Sequence, residues 1–285
     1  MNDELPKLSP RNDDAHKGDF GLALIVGGSR GMAGAAALAG MAALRGGAGL
    51  VRMAVPEPCL ETVASFEPSY VTIPLPADAE GRIAPAAFDR IAELAQQATV
   101  LACGPGLGRS LGLDSLVVRL YQEIPKPMVF DADALNALAA ESESLTQPGG
   151  PRVLTPHPGE FARLVGRKLD GDARHQAAIQ MAARCGIVVV LKGHRTLVTD
   201  GRRHSLNATG NPGMATGGMG DVLTGLIAAL ACQGLGPFEA ARLGVHLHGL
   251  AGDRCAEDLG QVAMIASDMI DYLPEAFQEY SASDA

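Results

Sequence analysis

From Phe20 onward, short apolar runs alternate with longer stretches in which apolar residues recur at helical spacing. The runs LALIV (22–26), LVRMAV (50–55), YVTIPL (70–75), TVLACG (99–104), PMVFDAD (127–133), RVLTP (152–156), IVVVLKG (187–193) and TLVTD (196–200) have the length of strands. Between them, 85–97, 172–184 and 237–257 carry a helix period. Runs that are apolar throughout suit strands covered on both faces, and the alternation predicts βαβ units in a mainly parallel sheet with helices on both faces. No internal repeat is present. QPGGP at 147–151 is the best candidate for a boundary, yet it has the length of an ordinary loop. The expectation is one α/β domain over 19–285, preceded by a flexible tail at 1–18.

Composition narrows the function classes. The chain is 47% hydrophobic, but aromatics make up only 4% and there is no Trp, so the core must come from Ala, Val, Leu, Ile and Met. Acids outnumber bases by 32 to 23, a net charge of −9, which disfavours nucleic acid or an anionic membrane as partner. It leaves room for a small anion held by backbone amides. Cys59, Cys103, Cys185, Cys232 and Cys255 are an odd, scattered set without a CxxC pair, which argues against a disulfide framework or a zinc site. No run is long enough to span a bilayer, and the acidic start suits neither a signal peptide nor a transit peptide. A cytoplasmic location is expected.

Open α/β sheets bind ligands at the carboxyl ends of their strands. There the chain places GGSRGMAG after the first run, GPGLGRS after TVLAC, DAD after MVF, HPGE after VLTP and KGHRT after IVVVL. GPGLGRS misses the dinucleotide fingerprint because Arg109 stands where its last glycine belongs, and GGSRGMAG lacks the Lys-Ser or Lys-Thr of a P-loop. The strongest signal is GNPGMATGGMGDVLTGLIAAL (210–230), where bare glycines at 217, 218 and 220 precede a helix expected to start near Asp221. Amides at a helix N-terminus attract phosphate, so the single carboxylate beside them needs a reason. Either Asp221 caps the helix, or it takes a proton from a hydroxyl while the amides hold the phosphoryl group. Glu160 is a candidate for Mg²⁺ through water. Asp131 and Asp133 are placed on one face of a strand end, with a ligand role or a structural role in the next turn both open. His246 and His248, two apart on a helix, do not face one another and are rejected as a metal pair. His157, between prolines, is the better candidate to touch a ligand.

The blocks GGSRGMAGAAALAGMAALRGGAGLV, CGPGLG, DADALN, LTPHPGEF, LKGHRT and NPGMATGGMGDVLTG, in this order, resemble the NAD(P)H-hydrate dehydratases of the ribokinase-like superfamily. GVHLHGLAGD extends the likeness. The resemblance implies a ribokinase-like fold and a lyase of metabolite repair. It would phosphorylate the C6 hydroxyl of hydrated NADH or NADPH and then eliminate phosphate. It also implies roles for residues. Asp221 would be the base, Gly218, Met219 and Gly220 the anion hole, and Lys192, Gly193, His194, Arg195 and Thr196, with Gly220, the nucleotide site. Ala35, Gly106, His157 and Asp221 would line the hydrate pocket, and Glu160 would serve Mg²⁺. Some members carry a fused epimerase. With about 20 residues before the first strand, this chain is expected to lack one, to act on the S epimer and to depend on a separate epimerase. The short N-terminal stretch leans the donor towards ADP over ATP, and family members often form tetramers. Two other readings stay open: a kinase of a small alcohol such as a vitamin precursor, and a non-catalytic nucleotide-binding regulator.

Overall fold

The computed structural model describes residues 4–282. The apolar runs become strands β1 (Leu22–Val26), β2 (Leu50–Pro56), β3 (Val71–Leu75), β4 (Val100–Cys103), β5 (Met128–Phe130), β6 (Arg152–Leu154), β7 (Val188–Leu191) and β8 (Leu197–Thr199), followed by β9 (His204–Leu206). They form one sheet in the order β3-β2-β1-β4-β5-β6-β7-β8-β9. Pairing is parallel from β3 through β7 and antiparallel for β7–β8 and β8–β9. The edge strand β9 is not among the expected strands. Its three residues, His-Ser-Leu, are exposed at both ends and have neither the length nor the apolar content that marks a strand.

The helices are α1 (Ala33–Arg45), α2 (Leu60–Ala64), α3 (Phe88–Gln97), α4 (Leu111–Glu123), α5 (Ala132–Ala140), α6 (Pro158–Leu164), α7 (Gly171–Cys185), α8 (Met219–Cys232), α9 (Pro237–Leu259) and α10 (Ala266–Ala282). Strand side chains alternate between two cores, as the pleat dictates. Ala23, Ile25, Met53, Val100, Val129 and Val190 pack under α1, α8, α9 and α10. Leu24, Leu101, Met128, Phe130, Val189 and Leu191 pack under α3, α4, α5, α6 and α7. Helix α8 is apolar on nearly every side because it lies between the sheet and other helices. Leu226, Ile227 and Leu230 are fully buried, each stabilising the fold by roughly 1.5–3 kcal/mol. Its approach to α1 requires Gly225, where a Cβ would lie 1.9 Å from the Ala39 carbonyl oxygen. That contact fixes the start of α8 above the middle of the sheet.

Residues 1–3 of the expected tail lie outside the described residues, as do 283–285 of the expected domain. From Glu4 on, the segment lies against the body. Leu5 and Leu8 pack on the first core, Tyr280 donates to the Pro6 carbonyl, and Arg11 donates to the Gly47 carbonyl at 2.8 Å. Among the described residues, no helix is long and apolar enough to cross a membrane. All five cysteines are buried free thiols.

Candidate active site

Strand order reverses direction at β1, which has β2 on one side and β4 on the other. Such a switch point opens a crevice at the strands' carboxyl ends. The Gly28 N–H donates to the Pro105 carbonyl and Ser29 Oγ to the Gly106 carbonyl, both at 2.8 Å, tying the loops after β1 and β4 together. Gly106 has φ +63°, and a Cβ there would sit 3.1 Å from that of Ala35, so these two expected pocket residues are neighbours. A Cβ on Gly104 would lie 1.8 Å from the Asp131 carbonyl oxygen, bringing in the loop after β5. The Lys192 N–H donates to the Pro156 carbonyl at 2.9 Å, which joins the loops after β6 and β7. The five loops thus meet at one edge.

The start of α8 closes this edge. Gly218 holds the cap position at φ +91°, a left-handed conformation suited to glycine, and no side chain caps the helix. The helix begins at Met219, two residues earlier than expected, so Asp221 is its third residue. The capping alternative for Asp221 is therefore wrong. Among the described residues its carboxylate takes no hydrogen bond. Burial pushes its pKa up to about 7, with repulsion from Asp131, Asp133 and Glu160 adding to the effect and Lys192 opposing it. A carboxyl that titrates near neutrality beside bare helix-terminal amides has the properties of a general base next to an anion hole. Gly220 faces Lys192: a Cβ there would meet Lys192 Nζ at 3.0 Å and Asp131 Oδ2 at 3.3 Å. The Met219 side chain is buried in the core, so only its backbone faces the site. Gly218 abuts Leu38 of α1, one turn from Ala35.

The strand ends at Phe130, and the chain turns at Ala132, whose φ of +51° is strained for an L-residue. Asp131 and Asp133 therefore do not share a strand face, and their carboxylates diverge. Asp131 is buried, accepting from Lys192 Nζ at 2.6 Å and Thr224 Oγ1 at 2.9 Å. Asp133 accepts from the Gly108 N–H at 2.9 Å and steadies the glycine loop after β4. Burial opposes the Lys192 ammonium, but Asp131 and Glu160 outweigh it and hold its pKa above the ordinary value. Lys192 thus turns inward beneath the start of α8, whereas Gly193, His194 and Arg195 lie exposed in the β7–β8 hairpin and Thr196 is half-buried.

His157 and Glu160 form a reciprocal cap at the start of α6. Nδ1 of His157 accepts from the Gly159 and Glu160 amides, at 3.0 and 3.3 Å, and Glu160 Oε2 accepts from the His157 N–H at 2.8 Å. The imidazole's proton is then on Nε2, 3.4 Å from Glu160 Oε1. Partial burial, with Lys192 and Arg163 nearby, lowers the His157 pKa and keeps it neutral. Its side chain remains half-exposed and reachable. Burial pushes Glu160 up to about 7, with Lys192 opposing and Asp131 adding repulsion. Four acids against one lysine is a set that a divalent cation would relieve. Among the described residues no three acids, histidines or cysteines converge closely enough to chelate a metal ion directly. The donors fit an ion such as Mg²⁺ that keeps its waters and takes phosphate oxygens, with Glu160 reached through water.

Three participants are not legible as such in the sequence. Thr224 reads only as a hydroxyl in an apolar helix one turn past Asp221. Ser29 is hidden inside a glycine loop. His248, set aside as a metal ligand, lies 2.9 Å from the Met219 carbonyl.

Comparison with known proteins bears on this arrangement. The family described as NAD(P)H-hydrate dehydratase matches residues 23–275. The bifunctional NAD(P)H-hydrate repair enzyme Nnr of Moorella thermoacetica is 48% identical over 273 residues, 94% of this chain and 51% of that protein. The chain spans about half the length of the curated relatives it matches. Among solved structures, the ADP/ATP-dependent NAD(P)H-hydrate dehydratase from Bacillus subtilis, co-crystallised with ATP and Mg²⁺, superposes with a TM-score of 0.82 at 30% identity, covering 96% of this chain and 94% of that one. Arabidopsis thaliana ribokinase shares the fold at a TM-score of 0.54 and 14% identity, covering 89% and 98%. The sheet is thus ribokinase-like, the matched segment carries every loop of the site, and the chain belongs to the NAD(P)H-hydrate dehydratase family.

Proposed function

We propose that this chain dehydrates the S epimer of hydrated NADH and NADPH, with ADP or ATP as phosphoryl donor and ADP preferred. The observation that carries this reading is Asp221, an acid that takes no hydrogen bond among the described residues. It is pushed up to about 7 and set on bare amides at a helix N-terminus. Its carboxylate takes the proton of the C6 hydroxyl as that oxygen attacks the nucleotide's terminal phosphorus. The bond from phosphorus to the bridging oxygen breaks, and AMP leaves when ADP is the donor. The amides of Gly218, Met219 and Gly220 stabilise charge on the phosphoryl oxygens, and Lys192 adds a cation behind Gly220. In the second step the C6–O bond breaks with its electron pair leaving on phosphate. A proton lost from C5 restores the C5–C6 double bond. Hydroxide is a poor leaving group and phosphate a good one, so one anion hole serves both steps.

Residues 193–196 at the hairpin rim hold the AMP portion, and Ala35, Gly106 and His157 line the hydrate pocket. Mg²⁺, when bound, neutralises the nucleotide's phosphates, and Glu160 holds its water. A separate epimerase supplies the S form from the R form, and the chain works in the cytoplasm as a homo-oligomer, with a tetramer as the family's common form. The test is incubation of the purified protein with mixed-epimer hydrate, Mg²⁺ and ADP or ATP. Absorbance of the reduced nicotinamide should recover for the S half alone, faster with ADP, with one inorganic phosphate released per turnover. Equal consumption of both epimers, or a stable phosphorylated product, would overturn the reading.

A further inference from the structure

Helix α9 is the spine on which the approach to α8 is built. Asn207 Nδ2 donates to the Val245 carbonyl at 3.1 Å, Thr209 Oγ1 to the His246 carbonyl at 2.8 Å, and Asn211 Nδ2 to the Gly252 carbonyl at 2.8 Å. The Gly210 N–H donates to Asp253 Oδ2 at 2.8 Å. Where α9 packs on α8, it also makes a polar contact with the helix start: His248 Nε2 lies 2.9 Å from the Met219 carbonyl oxygen. A carbonyl only accepts, so Nε2 carries the proton and donates. Burial pushes this imidazole down to about 4, so at neutral pH it is a single uncharged tautomer.

The Met219 carbonyl and the Gly220 N–H belong to one peptide plane, and across a trans peptide they point in opposite directions. A donor fixed on the carbonyl therefore aims the amide. The Met219 carbonyl also accepts the Leu223 N–H in the first turn of α8, so His248 supplies its second hydrogen bond, on a peptide flanked by Gly218 at a left-handed φ and by Gly220 without a Cβ. The first amides of a helix also have no intrahelical acceptor to hold them. A hydrogen bond on the carbonyl further polarises the peptide and strengthens its N–H as a donor.

We propose that His248 is a positioning residue: its Nε2–H grips the Met219 carbonyl and so aims the Gly220 amide at the transferred phosphoryl group. The proposal rests on the dehydratase reading for the identity of that group, and on the peptide geometry for everything else. Its test compares the wild type with His248→Gln, which keeps a donor at a similar reach, and His248→Met, which fills the space without one. Melting temperature, the ¹⁵N shift of the Gly220 amide during titration with inorganic phosphate, and kcat and KM with ADP are measured on each. The Met variant should lose about 10- to 100-fold in kcat with little change in the hydrate KM. The loss is smaller than for deleting an oxyanion donor, since the amide is misdirected rather than removed. Its Gly220 response to phosphate should weaken, Gln should recover most of both, and the pH profile should keep its limb near 7. A folded Met variant with wild-type kcat and phosphate response overturns the proposal, as does a folded Gln variant as impaired as Met. Should Met fail to fold, the side-chain ¹⁵N spectrum of the wild type decides, because a bare Nε2 on His248 refutes the donor. A wild type that leaves the hydrate untouched sinks the dehydratase reading, while the phosphate titration still judges His248.

Discussion

Replacing Asp221 by Asn removes a base while keeping its shape. The carboxamide would still fit the first turn of α8, where the carboxylate takes no hydrogen bond among the described residues. The structure supplies the magnitude for stability. Raising this carboxyl from its ordinary 3.8 to about 7 disfavours the ionised folded form by at most roughly 4 kcal/mol, and water contact reduces that figure. The sign follows from proton linkage: the folded state binds this proton more tightly than the unfolded state does. The associated stability is present below pH 4 and is lost as pH rises through about 7. The Asn variant has no proton to lose. Its advantage in melting temperature over the wild type should therefore be smallest near pH 4, widen up to about pH 7 and level off above that. Turnover should fall about 10²–10⁴-fold, the usual loss for a general base, while nucleotide binding is kept or strengthened by removal of a negative charge. Wild-type turnover should rise through pH 7 as the coupled carboxylates ionise, and the residual rate of the Asn variant should lack that limb. The assay is single-turnover recovery of nicotinamide absorbance, with thermal melts at each pH. A fully active Asn variant would refute the catalytic role, and a melting difference independent of pH would refute the buried-charge argument.

Lys192→Met leaves Asp131 buried with Thr224 as its only side-chain partner among the described residues. It should destabilise the fold by about 3–5 kcal/mol and weaken ADP binding, and an unchanged melting temperature would contradict the buried pairing. Glu160→Gln keeps the reciprocal cap with His157, so the fold should hold while the Mg²⁺ concentration needed for half-maximal rate rises several-fold; an unaltered Mg²⁺ titration would remove Glu160 from the ion's surroundings. Gly218→Ala puts a Cβ 2.8 Å from that of Ala266 at a φ of +91°. It should lower stability by about 1–3 kcal/mol and shift the α8 amides enough to slow turnover, both read from melts and initial rates.

The periodicity of the chain determined its parallel sheet, because strands buried on both faces must be apolar throughout and each apolar run here became a strand. Local chemistry also pointed to the proposed anion hole, through glycines at 217, 218 and 220 where an apolar helix begins. Likeness to a known family, carried by whole blocks rather than by single residues, supplied the roles that spacing could not. Tertiary structure decided the rest. That Asp221 is no cap depended on a helix start two residues upstream, a shift below what sequence patterns resolve. The partnership of Lys192 with Asp131 joins residues 61 positions apart, and that of His248 with Met219 joins residues on separate helices. Neither leaves a local trace, since a lysine beside a strand and a histidine on a helix read the same whether they face water or a buried oxygen. The raised pKa of Asp221 is of the same kind. It comes from burial at the start of α8 beside Asp131, Asp133 and Glu160, which follow β5 and β6. Only the packing of α8 over the switch point brings these acids together.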